Sequence, residues 1–488
     1  MSVVAIVAAA AIASPLAAQE NLTELSAVEA AKLIRAGKLK SEDLVKALAN
    51  QIENKKDLDA FIAFDGDAAI KAARAADADA AKGKFKGPLH GVPIVVKDNI
   101  HVAGFPNTAG TLALKDFRPK SHAPIVAKLV DAGAIVLGKN NMHELAFGIT
   151  NNNGAFGAAR NPYDPKRIPG GSSGGTGVAI AARMAAVGLG SDTGGSVRIP
   201  AALNGIAGLR PTLKRYSQDG ITPIAHTRDT AGPMARTVED LVLFDNVITG
   251  AKDKVTAANL KGLRIGVHKG YYFEGVDAET EKLTLGAIDK LKAAGAEIVE
   301  VDMPGLKDLD DKVSFPVALF EANVDLAKYL KKFGIPIDVQ GVAAQIKSPD
   351  VKVVFDTMVV PGAQKAIPPE AYNTALATRR QLQKLFADTF AKNSIAAIAF
   401  PMTPLPAVPI GDDEMTKLNG QDVPTFPTFI RNSDPGSNAG IPGITIPIAR
   451  TQAGLPIGLG LDGPTGSDRK LLSIGLALQK LFGRLPAP

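Results

Sequence analysis

The chain has 488 residues, 46% hydrophobic and 21% charged, which is enough apolar material to bury a large core and excludes disorder as its main state. Gly and Pro together make up about 17%, within the range of folded proteins. The net charge of +6 is spread without a basic run, Trp is absent and aromatics are 5%, all of which argue against a nucleic-acid face; with no Cys, thiol nucleophiles, disulfides and thiolate metal sites are excluded.

Met1 to Gln19 carry no charge, and the apolar run Val3 to Ala13 is followed by Ser14, Pro15 and the small pair Ala17-Ala18. This reads as a secretory signal over residues 1–18, with a periplasmic or secreted protein expected. The segment lacks Lys or Arg before the apolar run, and Leu16 is unusual three residues before the cut. An uncleaved anchor, a mis-assigned start and a cytoplasmic protein are therefore the alternatives. No other stretch approaches ~20 uninterrupted apolar residues, so residues 19–488 are expected as one soluble domain without membrane contact.

Ser26-Ala27-Val28-Glu29 is a capping box opening a helix that continues through Ala30 to Ile34. A second helix opens at Ser41, with Glu42 and Asp43 at the positive end of its dipole. The β-branched run Val92-Pro93-Ile94-Val95-Val96 predicts a buried strand ending at Lys97-Asp98-Asn99, which puts a cation at a strand end. Ala123 to Ala132 reads as a helix stopped by Gly133, and Ala134 to Leu137 as the next strand. That alternation predicts parallel pairing through helical crossovers in a layered α/β fold. The same step recurs from a helix ending near Ala294 into Glu297 to Val301, and Ile444 to Ile448 and Leu455 to Leu461 add strands. Residues 313–393 are helical in pattern and are expected to form a cap over the site.

Two glycine-serine clusters concentrate the chemistry: Gly170-Gly171-Ser172-Ser173-Gly174-Gly175 and Asp192-Thr193-Gly194-Gly195-Ser196-Val197-Arg198, with the small-residue run Val178 to Gly190 read as one helix between them. Glycine lets several backbone N–H groups converge on one anion, which suits phosphate binding or acyl chemistry. A nucleotide P-loop needs Lys-Ser/Thr after its last glycine, and Gly174-Gly175-Thr176-Gly177 lacks it; no dinucleotide fingerprint opens a helix either. His90, His101, His122, His143, His226 and His268 form no metal-ligand spacing, so no metal and no cofactor are expected. Their scatter also disfavours a Ser-His-Asp relay.

With Gly91-Val92-Pro93-Ile94-Val95-Val96-Lys97-Asp98 upstream of both serine clusters, the sequence resembles the amidase signature family, from about Leu25 to the C-terminal strands. The resemblance implies a large mixed β-sheet covered by helices on both faces. It also implies a Ser-Ser-Lys triad in which Ser196 is the nucleophile, Ser172 relays its proton and Lys97 is the base, with Ser173 standing behind them. It further implies a cis bond between Gly171 and Ser172, and an oxyanion hole from the N–H groups of Thr193, Gly194, Gly195 and Ser196. A base of that kind must be buried, because a lysine at ~10.4 is almost wholly charged at neutral pH. The commoner fate of a lysine is pairing with a carboxylate such as Asp98. Asp192 and Arg198 are expected to brace the nucleophile's turn.

Segments His101 to Gly110, Met142 to Gly148 and His226 to Met234 are most similar to the indoleacetamide and mandelamide hydrolase branch, which implies an arylacetamide substrate. Phe147, Leu145, Met142 and Ile444 are candidate pocket walls. The partner implied is a small-molecule amide and no nucleic acid, and a homodimer is compatible with the reading. Alternatives are another amidase of the family acting on peptide amides, anilides, oligoamides or urethanes, a glutamyl-tRNA amidotransferase A subunit, and a non-catalytic binding protein.

Overall fold

Eleven of the fifteen strands among the described residues, 22–488, join in a single mixed sheet in a computed structural model. The segment read as a secretory signal, 1–18, lies outside the described residues. In chain order the strands are β1 (Phe61–Phe64), β2 (Pro93–Lys97), β3 (Ile135–Asn140), β4 (Asn152–Asn153), β5 (Gly157–Ala158), β6 (Val187–Asp192), β7 (Ala207–Arg210), β8 (Thr230–Ala235), β9 (Arg264–Val267), β10 (Glu297–Glu300), β11 (Ala397–Pro401), β12 (Met415–Leu418), β13 (Gln421–Pro424), β14 (Gly443–Arg450) and β15 (Pro456–Asp462). The sheet runs β1-β3-β2-β6-β8-β7-β14-β15-β11-β9-β10; β4 pairs with β5 and β12 with β13 outside it.

The helix-to-strand alternation delivers the parallel pairs it predicts. β2 and β3 are parallel across the helix Pro124–Asp131, and β9 and β10 are parallel across the helix Ala278–Ala293. Gly133, at φ +99, ends the first of these helices, where no other residue type is at ease. The C-terminal strands β14 and β15 pair antiparallel with each other, and β14 also pairs antiparallel with β7. At the N-terminal side the capping box forms in full, Ser26 accepting from Glu29 N–H and Glu29 accepting from Ser26 N–H.

Strand alternation divides the core between the two faces. On β2, Ile94 and Val96 pack with Val126 and Leu129 on one face, while Val95 packs with Val178 and Ala179 of the helix Gly174–Ala181 on the other. On β11, Ala397 and Ala399 join the first face, and Ile398 and Phe400 join Leu382, Phe386 and Phe390 of the helix Pro369–Asn393 on the other. Both strands are apolar on both faces because both faces are covered, apart from Lys97 at the end of β2.

The small-residue run Val178 to Gly190 is not one helix. It divides into the end of Gly174–Ala181 and the strand β6, which is parallel to β2 with Val95 opposite Gly188 and Val96 opposite Leu189. Close approach explains the composition. A Cβ on Gly188 would lie 2.6 Å from Val95 Cγ2, and one on Gly190 would lie 2.8 Å from Ser173 Oγ. The helical region expected at 313–393 begins earlier, with Leu306–Lys332 opening after Gly305 at φ +77, and closes with Pro369–Asn393.

Two glycines test this packing in opposite directions. A Cβ on Gly175 would sit 2.4 Å from the Asn141 carbonyl oxygen and 2.6 Å from that of Ala60, so Gly175→Ala should lower stability by about 2 kcal/mol. Gly286, inside the helix Ala278–Ala293, has nothing within 4 Å of a Cβ, so Gly286→Ala should raise stability by about 0.5–1 kcal/mol. Chemical denaturation of both variants checks the pair.

Candidate active site

Two residues after Val95, Lys97 projects to the same face of the sheet, toward the end of Gly174–Ala181 that carries Ser172 and Ser173. Its side chain is fully buried, with Nζ 2.7 Å from Ser172 Oγ and 2.9 Å from Ser191 Oγ. Asn99 Nδ2 donates to the same Ser191 oxygen at 3.0 Å. Burial disfavours the ammonium and brings Lys97 down to about 7, even though the more distant Asp192 and Asp229 pull the other way. No carboxylate stands within ion-pair distance of Lys97 among the described residues.

The obvious partner is taken. Asp98 faces Lys139, whose Nζ is 3.3 Å from its Oδ1 with both side chains fully buried, and accepts from Thr108 N–H at 2.9 Å and from the Thr108 hydroxyl. Lys139 also donates to the Pro106 carbonyl at 3.0 Å.

The Gly171-Ser172 peptide is cis, as the resemblance implies. Ser173 ties both serine clusters together: its N–H donates to the Ser196 carbonyl at 3.2 Å, its Oγ donates to the Ser191 carbonyl at 3.2 Å, and that Oγ accepts from Ser191 N–H at 3.3 Å.

The turn carrying Ser196 is fastened beneath and on both sides. Burial alone would raise the Asp192 carboxyl, but the Arg198 and Arg210 guanidiniums hold it well below the usual carboxylate range. Arg198 Nε is 3.1 Å from its Oδ2 and Arg210 Nη1 is 3.0 Å from its Oδ1. The expected Asp192–Arg198 brace is thus present with a second guanidinium added. Thr193 Oγ1 donates to Asp229 at 2.7 Å, and Ser433 Oγ donates to the Gly194 carbonyl at 2.6 Å. Gly195 is at φ +145, and a Cβ there would meet Ser433 Oγ at 2.2 Å. The N–H groups of Gly194, Gly195 and Ser196 donate to no acceptor among the described residues.

A cavity of about 290 Å³ opens beside this turn, with Thr193, Gly194, Gly195 and Ser196 in its wall. Lys97, Ser172 and Ser173 lie behind that wall, fully buried. Of the four side chains expected to line the pocket, Phe147 does. Met142, Leu145 and Ile444 face three separate apolar clusters instead: Met142 packs with Ala225, Leu145 with Leu326, and Ile444 with Leu472 in the sheet core. The rest of the apolar wall, including Ile149, Ile224, Leu319, Phe426 and Ile430, comes from distant parts of the chain and carries no local sequence signal. Ser191 and Arg210 were equally hidden, since only the β2-β6 and β6-β8-β7 neighbourhoods bring them to the site.

A strand-end amine against a serine hydroxyl, and a rigid turn of unpaired N–H groups facing an apolar cavity, are parts suited to acyl transfer. Together with the fold they place the protein among amide hydrolases. The chain belongs to the amidase family, whose profile matches residues 43–472. It is 42% identical over 485 residues to a mandelamide hydrolase of Pseudomonas putida, covering 96% of this chain and 94% of that one. To an indoleacetamide hydrolase of Agrobacterium vitis it is 41% identical over 442 residues, covering 90% and 93% respectively. The crystal structure of a peptide amidase from Stenotrophomonas maltophilia superposes with a TM-score of 0.81 at 29% identity, covering 95% of this chain and 98% of that one.

Two substitutions probe the electrostatics. Asp192→Asn leaves two fully buried guanidiniums short of their carboxylate and should cost at least about 3 kcal/mol in denaturant unfolding. Lys97→Met should act the other way. Between pH ~7 and ~10.4 the unfolded chain binds the Lys97 proton and the folded chain does not, so stability rises with pH across that window and is penalised below it. The methionine variant should therefore be more stable than wild type by about 2 kcal/mol at pH 6, and the difference should shrink as the pH approaches 10.

Proposed function

We propose that the protein hydrolyses a carboxamide to the acid and ammonia or an amine through a Ser196 acyl-enzyme, on arylacetamides such as indole-3-acetamide or mandelamide. In this reading neutral Lys97 takes the proton of Ser172 as Ser172 takes that of Ser196, and Ser196 Oγ attacks the amide carbonyl. The N–H groups of Thr193 to Ser196 receive the oxyanion. The proton returns through Ser172 to the leaving nitrogen, the C–N bond breaks, and water repeats the sequence to release the acid and restore Ser196.

The observation that carries this is the 2.7 Å approach of a lysine near 7 to the Ser172 hydroxyl. An amine with that affinity is about half uncharged at neutral pH and can accept a proton, whereas an ordinary lysine is almost wholly charged there. The arylacetamide reading is supported by the mandelamide and indoleacetamide hydrolases at 42% and 41% identity, and by a cavity whose wall includes Phe147, Phe315 and Phe426. Ser314, Phe315, Ala318 and Leu319 of the helix Leu306–Lys332 line the cavity, which supports reading the helical region as a cap.

Ammonia release from a panel of arylacetamides, peptide amides and nitroanilides tests the substrate. Ser196→Ala should lower kcat by ~10⁴-fold or more while leaving the fold intact, and Lys97→Ala by ~10³-fold or more. Wild-type kcat/KM should rise about tenfold per pH unit up to a bend near 7, because deprotonation of Lys97 creates the active form. Near-wild-type rates in both variants, or a rate independent of pH between 5 and 8, would refute the mechanism.

A further inference from the structure

Besides the nucleophile turn, the cavity wall holds three charged side chains: Arg228, Asp413 and Asp350. Two of them are already committed. Arg228 is bonded to Asp434 and donates to the Ser314 carbonyl at 2.9 Å. Asp413 accepts from Thr150 Oγ1 at 2.7 Å on one oxygen and from Asn152 Nδ2 at 2.6 Å on the other.

Asp350 is different. Among the described residues its ion-pair partner is His143, with Nε2 3.0 Å from Asp350 Oδ2 but off the line of a good hydrogen bond. His143 Nδ1 accepts from Asn151 N–H at 3.1 Å, which leaves the ring hydrogen on Nε2, facing Asp350. No side chain among the described residues donates to Asp350 Oδ1. Burial pushes this carboxyl up, but His143 and nearby backbone N–H groups outweigh it and keep the group ionised at neutral pH. An ionised oxygen in a mainly apolar cavity wants a donor, and among the described residues no other side chain of the wall is hydrogen-bonded to it.

The carboxylate is also held in place. Glu144 accepts from Lys347 N–H at 3.0 Å and Ser348 N–H at 2.8 Å, fixing the chain just before the helix Pro349–Val354 that carries Asp350. Phe355 meets the cavity residue Phe147 edge to face at 5.0 Å. Asp350 and Val354, four apart on that helix, both face the cavity. The pair His143-Glu144, which forms no metal motif, thus serves to position this one side chain.

We infer that Asp350 is a specificity-determining residue that accepts a hydrogen bond from a ring N–H on the acyl part of the substrate, so that the enzyme favours N–H-bearing heteroaryl acetamides. The inference rests on the arylacetamide reading above. With the substrate's carbonyl carbon at the Thr193–Ser196 turn, the α-carbon is one bond from that carbon and the ring one bond further, in the apolar part of the cavity. Asp350 stands on a separate element among the apolar wall residues, where the ring lies.

The test compares kcat/KM for indole-3-acetamide with that for benzofuran-3-acetamide, in which oxygen replaces the ring N–H at nearly equal size. Wild type should favour the indole by roughly tenfold or more, since the bond is to a charged acceptor. The ratio should fall toward one in Asp350→Leu and be reduced in Asp350→Asn, which also serves if the leucine variant does not fold. A wild-type ratio near one overturns the inference, as does a ratio that survives in the variants while both rates fall together, the mark of a purely structural role. Absence of ammonia release from both amides in wild type would instead refute the arylacetamide reading, and this inference with it.

Discussion

The constraint on which the site depends is that one amine must be kept from water and from every carboxylate at once. Lys97 is fully buried at the end of a strand enclosed by β3 and β6, so its ammonium loses hydration without gaining an ion pair. The nearest acids by sequence and by space are spoken for, Asp98 by Lys139 and Asp192 by Arg198 and Arg210. The Ser172 and Ser191 hydroxyls and, at 3.5 Å, the Ser191 carbonyl are left to face the amine, and the hydroxyls accept from it or donate to it according to its protonation.

That arrangement explains the unusual investment in buried charge around the nucleophile turn. Asp192 is gripped by two guanidiniums, and Arg198 also lies 3.4 Å from Asp462 and donates to Ser437 Oγ at 2.6 Å. Buried pairs of this sort contribute little net stability, since desolvation offsets the attraction, but removing one partner is costly. Their effect is to hold a turn. With Gly194 bonded through its carbonyl to Ser433, and Gly195 in a conformation and space that admit no side chain, the free N–H groups at 194–196 keep one arrangement.

Much of this was legible in the sequence because it is local. The run Val92 to Val96 ending in Lys97 is a period and a terminus, and the capping box at Ser26 and the stop at Gly133 are chain-local chemistry. The two serine clusters are short motifs whose spacing survives any uncertainty about the helices between them. What local pattern could not give is what the sheet brings together. Ser191 reaches Lys97 only because β6 lies beside β2, and Arg210 reaches Asp192 only across the β6-β8-β7 neighbourhood. The cavity wall failed for the same reason. Met142, Leu145 and Ile444 are apolar and close in sequence to site motifs or strands, yet each is drawn to a different core cluster. Val178 to Gly190 misled because small residues fit a helix as readily as a strand; close contact with Val95 and Ser173 decides for a strand at Gly188 and Gly190.

The central claim concerns the charge state of a single nitrogen, and it can be read without turnover. Protein carrying lysine labelled with ¹³C at the ε-carbon, compared with a Lys97→Arg variant to assign the resonance, should show a Lys97 signal that titrates near pH 7. A Lys97 resonance that stays in its charged position until pH 10 would contradict the account.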